Sequence, residues 1–283
     1  MIADRRVPQP ATGAMAVVTA LLEQRTGQQI APTRSWRIET ALKPVLRARG
    51  LDSLEALVAE LLRDPAGPVS EQIVDALLNQ ETSFFRDAAV LDMVAAAVEV
   101  CVQEGRRPRI WSAACSTGQE PLSLAMLFAE RARAGVAIDA EILATDVSEA
   151  ALNRARQARF SQFEIQRGLS VRRMIEWFHA IGDDWVARPE LVNRIAFRRH
   201  NLVTDAPPAG RFDVILCRNV MLYLSPELRR QVLARLAQAM RPGGLLVLGA
   251  GETVIGQSDA FAPSPRYKGL YEPASAVRPA AAA

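Results

Sequence analysis

Residues 110–121 read IWSAACSTGQEP, and this stretch decides the fold. The run from Ile110 to its second alanine is apolar enough for a buried central strand, and the small residues after it suit a tight turn. Pro121 fits the first turn of a helix, where its missing amide hydrogen costs nothing. Gly118 lets the backbone of the turn approach a ligand. Downstream, Leu122, Leu124, Ala125, Leu127 and Phe128 give that helix an apolar face. A strand, a turn and a helix in this order form the unit with which a doubly wound α/β sheet receives a nucleotide-like ligand at the carboxyl ends of its strands.

Two further runs converge on that edge. Residues 138–145 read as a second apolar strand that stops at Asp146, an acid suited to ribose hydroxyls. Residues 212–216 read as another apolar strand, leading into Cys217, Arg218, Asn219 and Val220, where a substrate can lie over the sheet edge. The chain has neither the G-x-G-x-x-G turn of dinucleotide sites nor the G-x-x-x-x-G-K-[ST] loop of triphosphate sites. A cofactor without a pyrophosphate needs no glycine-dense cradle, which points to S-adenosylmethionine and to methyl transfer. The same strand, turn and acid also occur in doubly wound folds that bind other ligands.

Four ordered motifs sharpen this reading: TSFFR (82–86), WSAACSTGQEP (111–121), ATD (144–146) and FDVILCRNVMLY (212–223). Together they resemble the CheR family of chemoreceptor glutamate O-methyltransferases. The resemblance covers nearly the whole chain, since the helical stretch before Thr82 and the GAGE turn at 249–252 also fall where the family has counterparts. It implies an α/β fold: a Rossmann-like, doubly wound methyltransferase sheet with a small all-helical N-terminal domain and a short antiparallel subdomain. It also implies S-adenosyl-L-methionine as cofactor, S-adenosyl-L-homocysteine as product, and glutamates of a chemoreceptor or receptor-like signalling protein as substrate.

The family's site residues carry over by position. Thr82 and Arg86 reach the cofactor from the interdomain linker, Glu120 lies in its pocket, and Asp146 holds the adenosine. Asn201 and Leu202 flank adenine, and Arg218 and Asn219 complete the cofactor site. Arg86 and Tyr223 face the reacting methyl. Two departures stand out. Gln80 occupies the position two before the threonine where the family usually has Asn, with Asn79 beside it. The GAGE turn replaces a common Gly-His-Ser-Glu, so the two middle polar side chains are absent.

The chemistry asks little of the protein. A glutamate carboxylate is ionised at neutral pH, so methyl transfer to it needs no general base, and orientation is the main contribution. Arg86 can hold an attacking carboxylate through a forked, charge-assisted hydrogen bond, and the Tyr223 hydroxyl can align the nucleophile or the sulfonium side. As structural readings, the Arg merely bridges domains and the Tyr is half-buried packing.

Composition fits a globular enzyme. The 283 residues, 49% hydrophobic, suffice for one large and one small domain. No window approaches a membrane span and the opening MIADRR leads into no apolar core, so the expected location is the cytoplasm, without membrane insertion. Cys101, Cys115 and Cys217 are scattered, and His179 and His200 are far apart, so no disulfide framework or metal site is indicated. The net charge is +3, yet only Lys43 and Lys268 among the 34 basic residues are lysines. That skew reads as coding bias, and no nucleic-acid partner is expected. Arg34, Arg37, Lys43, Arg47 and Arg49 make one early helix basic, either a solvated face or a surface that docks on an acidic receptor helix. The family's Ser-Arg-Leu in that helix is Thr40, Ala41 and Leu42, one cation fewer.

The expected organisation is a loose tail (1–13), a helical domain (14–80), a linker (81–87), a methyltransferase domain (88–273) with a small antiparallel insertion at about 183–195, and a disordered tail (274–283). Leu54, Leu57, Val58, Leu61 and Leu62 form one apolar stripe in the helical part. The protein is expected to be a monomer. A nucleic-acid or amine N-methyltransferase usually carries Asn/Asp-Pro-Pro-aromatic where this chain has Cys217 to Val220. A cofactor-sensing regulator without turnover, or a methyltransferase with another protein substrate, is the remaining alternative.

Overall fold

The computed structural model describes residues 13–274. The two expected tails lie outside the described residues, apart from Gly13, which already opens a helix, and Ala274. The described chain divides into two compact units: residues up to Asn79 with Tyr223–Ser225, and Gln80–Leu222 with the chain from Pro226 onward.

The smaller unit is helical. It contains α1 (Gly13–Thr26), α2 (Trp36–Arg49), α3 (Leu54–Arg63) and α4 (Pro68–Leu77). The breaks between them follow the punctuation of the sequence. Gly50 ends α2 in the left-handed conformation, donating its amide to the Arg47 carbonyl while Leu51 reaches the Leu46 carbonyl. Ser53 caps α3 by accepting from the Ala56 amide at 3.1 Å, and Pro68 opens α4. Val18, Leu22, Ile38, Leu42, Leu57, Leu61, Ile73 and Leu77 are buried between the helices. Leu62, counted in the expected stripe, is exposed instead, because its neighbours Leu57, Val58 and Leu61 already fill the inward arc of α3. Tyr223–Ser225 belong to this unit: the Tyr223 carbonyl accepts from the Gln29 amide at 2.8 Å, and Leu224 bridges Gln28.

The larger unit follows a linker and α5 (Ala88–Gln103). Its strands and helices run β1 (Arg109–Ala113), α6 (Gln119–Arg133), β2 (Glu141–Asp146), α7 (Glu149–Gln157), β3 (Arg159–Ser161), α8 (Gln162–Gln166), α9 (Val171–Trp177), β4 (Phe178–Ile181), β5 (Asp184–Ala187), α10 (Pro189–Val192), β6 (Ile195–Arg199), β7 (Phe212–Cys217), α11 (Pro226–Ala239), β8 (Met240–Val247), β9 (Phe261–Pro263) and β10 (Tyr271–Pro273). The main sheet has the order β6-β2-β1-β7-β8-β10-β9, parallel except for the antiparallel β10. The chain winds outward from β1 through β2 to β6, then crosses back to β7, so the strand order reverses between β1 and β7. A crevice at their carboxyl ends is the ligand position such a sheet provides. β1, β2 and β7 are buried almost throughout, which is why they read as continuous apolar runs.

The antiparallel subdomain forms, but only one of its strands, β5, falls within the expected 183–195. Strands β3, β5 and β4 make a separate three-stranded sheet from residues 159–187. Pro189 starts α10, and residues from Ile195 join the main sheet beside β2. A short apolar run does not reveal which sheet it will join.

Gly118 has a packing reason to be glycine as well. It adopts φ +92°, and a Cβ there would stand 2.9 Å from the Ala155 Cβ of α7. Its smallness serves the packing of α7 on the turn. Gly118→Ala is therefore expected to cost about 1–3 kcal/mol of stability, from overpacking and a strained φ. A denaturant melt with an unchanged midpoint would contradict this.

Candidate functional site

Within the larger unit, loops from five strands and the linker meet at the carboxyl edge of the sheet. Six non-glycine residues among those described have positive φ: Phe85, Asp87, Ala114, Ser116, Ala158 and Asn219. All but Ala158 lie in the linker, the turn after β1 or the turn after β7. Left-handed backbone at such residues costs energy and concentrates where a site is assembled.

The linker is anchored by its two phenylalanines, a role the sequence reading left unassigned. Phe84 is fully buried and meets Phe160 of β3 and Phe178 of β4 edge to face, at 4.9 and 5.5 Å between centroids. The Phe85 amide donates to Ser123 Oγ at 3.0 Å, and the Arg173 guanidinium lies 3.9 Å over the Phe85 ring. Both rings thus fasten the backbone that carries Thr82 and Arg86. Thr82 is half-buried. The Arg86 guanidinium is half-exposed, with a 3.5 Å contact to the Glu81 carbonyl.

Arg218 ties three segments together. Its side chain is 3% exposed. It forms an ion pair with Asp87, donates to Glu120 Oε2 at 3.1 Å, and donates to the Arg86 carbonyl at 2.9 Å. Glu120, in the first turn of α6, accepts from Ser112 Oγ of β1 at 2.7 Å through its other oxygen. Arg218 Nε is buried with no partner among the described residues.

A second network surrounds Asp146, the end of β2. Its two carboxylate oxygens accept from the Ser116 amide at 2.8 Å and the Ser148 amide at 2.9 Å. Gln80 joins the same cluster: its carbonyl accepts from Ser116 Oγ at 2.8 Å, and its side chain donates to Ser148 Oγ at 3.2 Å. Asn201 and Leu202 follow β6, and the His200 amide donates to the Asp146 carbonyl at 2.9 Å. The Asn201 side chain accepts from the Val203 amide at 2.9 Å, and Arg235 of α11 donates to the Leu202 carbonyl at 3.1 Å, fixing this loop.

Asn219 stands in the turn after β7, its amide on Glu252 Oε2 at 2.7 Å. Tyr223 belongs to the helical unit, where its hydroxyl accepts from the Asn79 side chain. Cys115 and Cys217 lie beside the site, but burial pushes both thiols well up. Neutral thiols are poor nucleophiles, so the arrangement offers no thiolate for covalent catalysis.

The donor set fits an adenosine-type cofactor without a pyrophosphate. The acid that ends β2 is buried at the carboxyl edge of the sheet, the turn after β1 is not glycine-dense, and buried Arg218 has one N–H with no partner among the described residues. Residues 80–269 match the family model described as CheR methyltransferase, SAM binding domain.

The chain belongs to the CheR methyltransferase family.

Its cofactor is accordingly S-adenosylmethionine. The chain is 33% identical over 247 residues to "Chemotaxis protein methyltransferase Cher2" of Pseudomonas putida, covering 85% of this chain and 90% of that protein. It is 34% identical over 251 residues to "Chemotaxis protein methyltransferase 1" of Pseudomonas aeruginosa, with the same coverage of each. Among solved structures, the glycopeptide N-methyltransferase MtfA complexed with S-adenosyl-L-methionine shares 17% identity at a TM-score of 0.32, over 54% of this chain and 52% of that one. No helix among the described residues is long and apolar enough to cross a membrane.

Proposed function

We propose that this CheR methyltransferase esterifies glutamate side chains of a chemoreceptor or receptor-like signalling protein in the cytoplasm. Membership of the family and the chemotaxis names of its relatives support the substrate class. The observation that carries the site reading is the convergence of the linker and the loops after β1, β2 and β7 on two hydrogen-bonded clusters.

In this reading Asp146 holds the ribose, with Gln80 and Thr82 beside it, and Asn201 and Leu202 flank adenine. Glu120, Arg218 and Asn219 surround the methionine end. The bound cofactor supplies an activated methyl on a positively charged sulfur. Arg86 orients the attacking carboxylate, which is already ionised, and no residue has to remove a proton. Tyr223 aligns the nucleophile, its hydroxyl held by Asn79. The basic helix α2 is the docking face, although Arg49 is already engaged by Glu60 and Gln72 at 2.8 and 3.2 Å. The exposed Arg34, Lys43 and Arg47 are left for an acidic receptor helix. The enzyme works as a monomer.

The test is transfer of radiolabelled methyl from S-adenosylmethionine to receptor-bearing membranes, followed by alkaline release of the label as methanol. Base-labile label on receptor glutamates is the expected result; tight cofactor binding with no transfer to any receptor favours the regulatory alternative. By calorimetry, Asp146→Ala is expected to weaken S-adenosylhomocysteine binding by about tenfold or more, since a charge-assisted hydrogen bond is worth roughly 1.5–3 kcal/mol. Unchanged calorimetric affinity removes Asp146 from the site.

A further inference from the structure

We infer that Glu252 is a positioning residue for the cofactor pocket: its carboxylate sets the turn after β7 and thereby the placement of Asn219. The inference rests on the reading of Asn219 as a cofactor-site residue. Four main-chain amides converge on this one side chain. Oε2 accepts from Asn219 at 2.7 Å and from Gly249 at 2.8 Å; Oε1 accepts from Met221 at 2.8 Å and Leu222 at 3.4 Å. The Glu252 amide returns to the Gly249 carbonyl at 2.9 Å, so the 249–252 turn closes on itself before it reaches across. Successive amides facing one point form a concavity for an anion, and here the chain's own carboxylate fills it.

The consequence lies at Asn219. Its φ is +60°, a conformation that its neighbours must enforce. With the amides of residues 219 and 221 on opposite oxygens of one carboxylate, the peptide between them has little freedom. The Asn219 side-chain amide then lies directly over Gly249: a Cβ on that glycine would stand 2.6 Å from Asn219 Nδ2. Gly249 is therefore small because the asparagine amide and, at 2.8 Å, Glu252 Oε2 occupy the space its side chain would take. The GAGE turn lacks two polar side chains of the common family sequence but keeps both residues that this arrangement uses, Gly249 and Glu252.

The test is Glu252→Gln. A carboxamide has one acceptor oxygen, so its NH2 group must face one of the two pairs of amides, donor against donor. Asn219 should then leave its position, and calorimetric affinity for S-adenosylhomocysteine should fall about tenfold or more, with KM for S-adenosylmethionine rising more than kcat falls. Glu252→Asp, which keeps both acceptor oxygens, should recover part of the affinity. Asn219→Ala should weaken binding to a similar extent, and the double variant Glu252→Gln/Asn219→Ala should be no worse than the weaker-binding single variant, because both act through one group. Additive losses would show that Glu252 acts through general stability and overturn the inference. So would Glu252→Gln with native affinity while Asn219→Ala binds weakly. Native affinity in Asn219→Ala would instead defeat the site reading, and the inference with it. If Glu252→Gln does not fold, Gly249→Ala perturbs the same contact, its Cβ crowding Asn219 Nδ2 at 2.6 Å and Glu252 Oε2 at 2.8 Å: weakened binding supports the inference, and native affinity overturns it.

Discussion

Replacing Arg218 with Met should lower the unfolding free energy by about 3 kcal/mol, the low end for removing one partner of a buried ion pair. At roughly 2–4 °C per kcal/mol for a unit of this size, the melting temperature should fall by about 6–12 °C. The argument rests on what the arginine leaves behind. Among the described residues Glu120, 14% exposed, would keep only Ser112, while the Arg86 carbonyl would lose its donor. Asp87, 40% exposed, can turn to water, so most of the cost falls on Glu120. Removing the stranded charge should therefore restore stability: Arg218→Met/Glu120→Gln is expected to melt above Arg218→Met. Equal melting of the two variants, or a wild-type melt for Arg218→Met, would show that the buried pair does not hold these segments. Arg218→Lys should fall between, since an ammonium cannot fork toward Glu120 and the Arg86 carbonyl as a guanidinium does.

This reliance on Arg218 was not legible as such. The Cys-Arg-Asn stretch marks a strand end, and its resemblance suggested a cofactor contact, but a sequence does not say that the arginine points back into the protein toward residues 87 and 120. The same holds for Phe84. It reads as one more apolar residue until Phe160 and Phe178 surround it, and those two come from strands of three and four residues. Strands so short carry no usable alternation, and for that reason the antiparallel sheet was expected some residues too late in the chain. Leu62 errs in the other direction, because an apolar residue on the edge of a helix stripe is not obliged to be buried. What could be read were the long local signals. β1, its turn and α6 form one contiguous pattern, β2 and β7 are largely apolar runs, and the helix ends of the smaller unit are marked by glycine, serine and proline. Glu252 lies between these cases: the turn was visible, but its partners are about 30 residues earlier, and only the folded sheet brings the ends of β7 and β8 side by side.

Replacing Arg86 with Ala should cut kcat for receptor methylation by about 100-fold or more while leaving S-adenosylhomocysteine affinity within about threefold, as expected when orientation of the reacting group is lost. The structure separates the two functions of this residue. Its backbone is held from elsewhere: the carbonyl by Arg218, the preceding Phe85 amide by Ser123, and Phe84 by the buried aromatic cluster. Among the described residues the guanidinium makes only a 3.5 Å contact with the Glu81 carbonyl, so truncation strands no buried partner there and should leave the melting temperature nearly unchanged. An arginine that merely bridged domains would behave in the opposite way, with stability falling and kcat following it. Arg86→Lys keeps the charge but loses the planar fork that matches a carboxylate, so it should recover only part of the rate. Equal losses in transfer and in cofactor affinity would refute the orienting role. A rate deficit that vanishes at saturating receptor would place Arg86 in docking, because an interaction made only in the transition state lowers kcat at any substrate concentration.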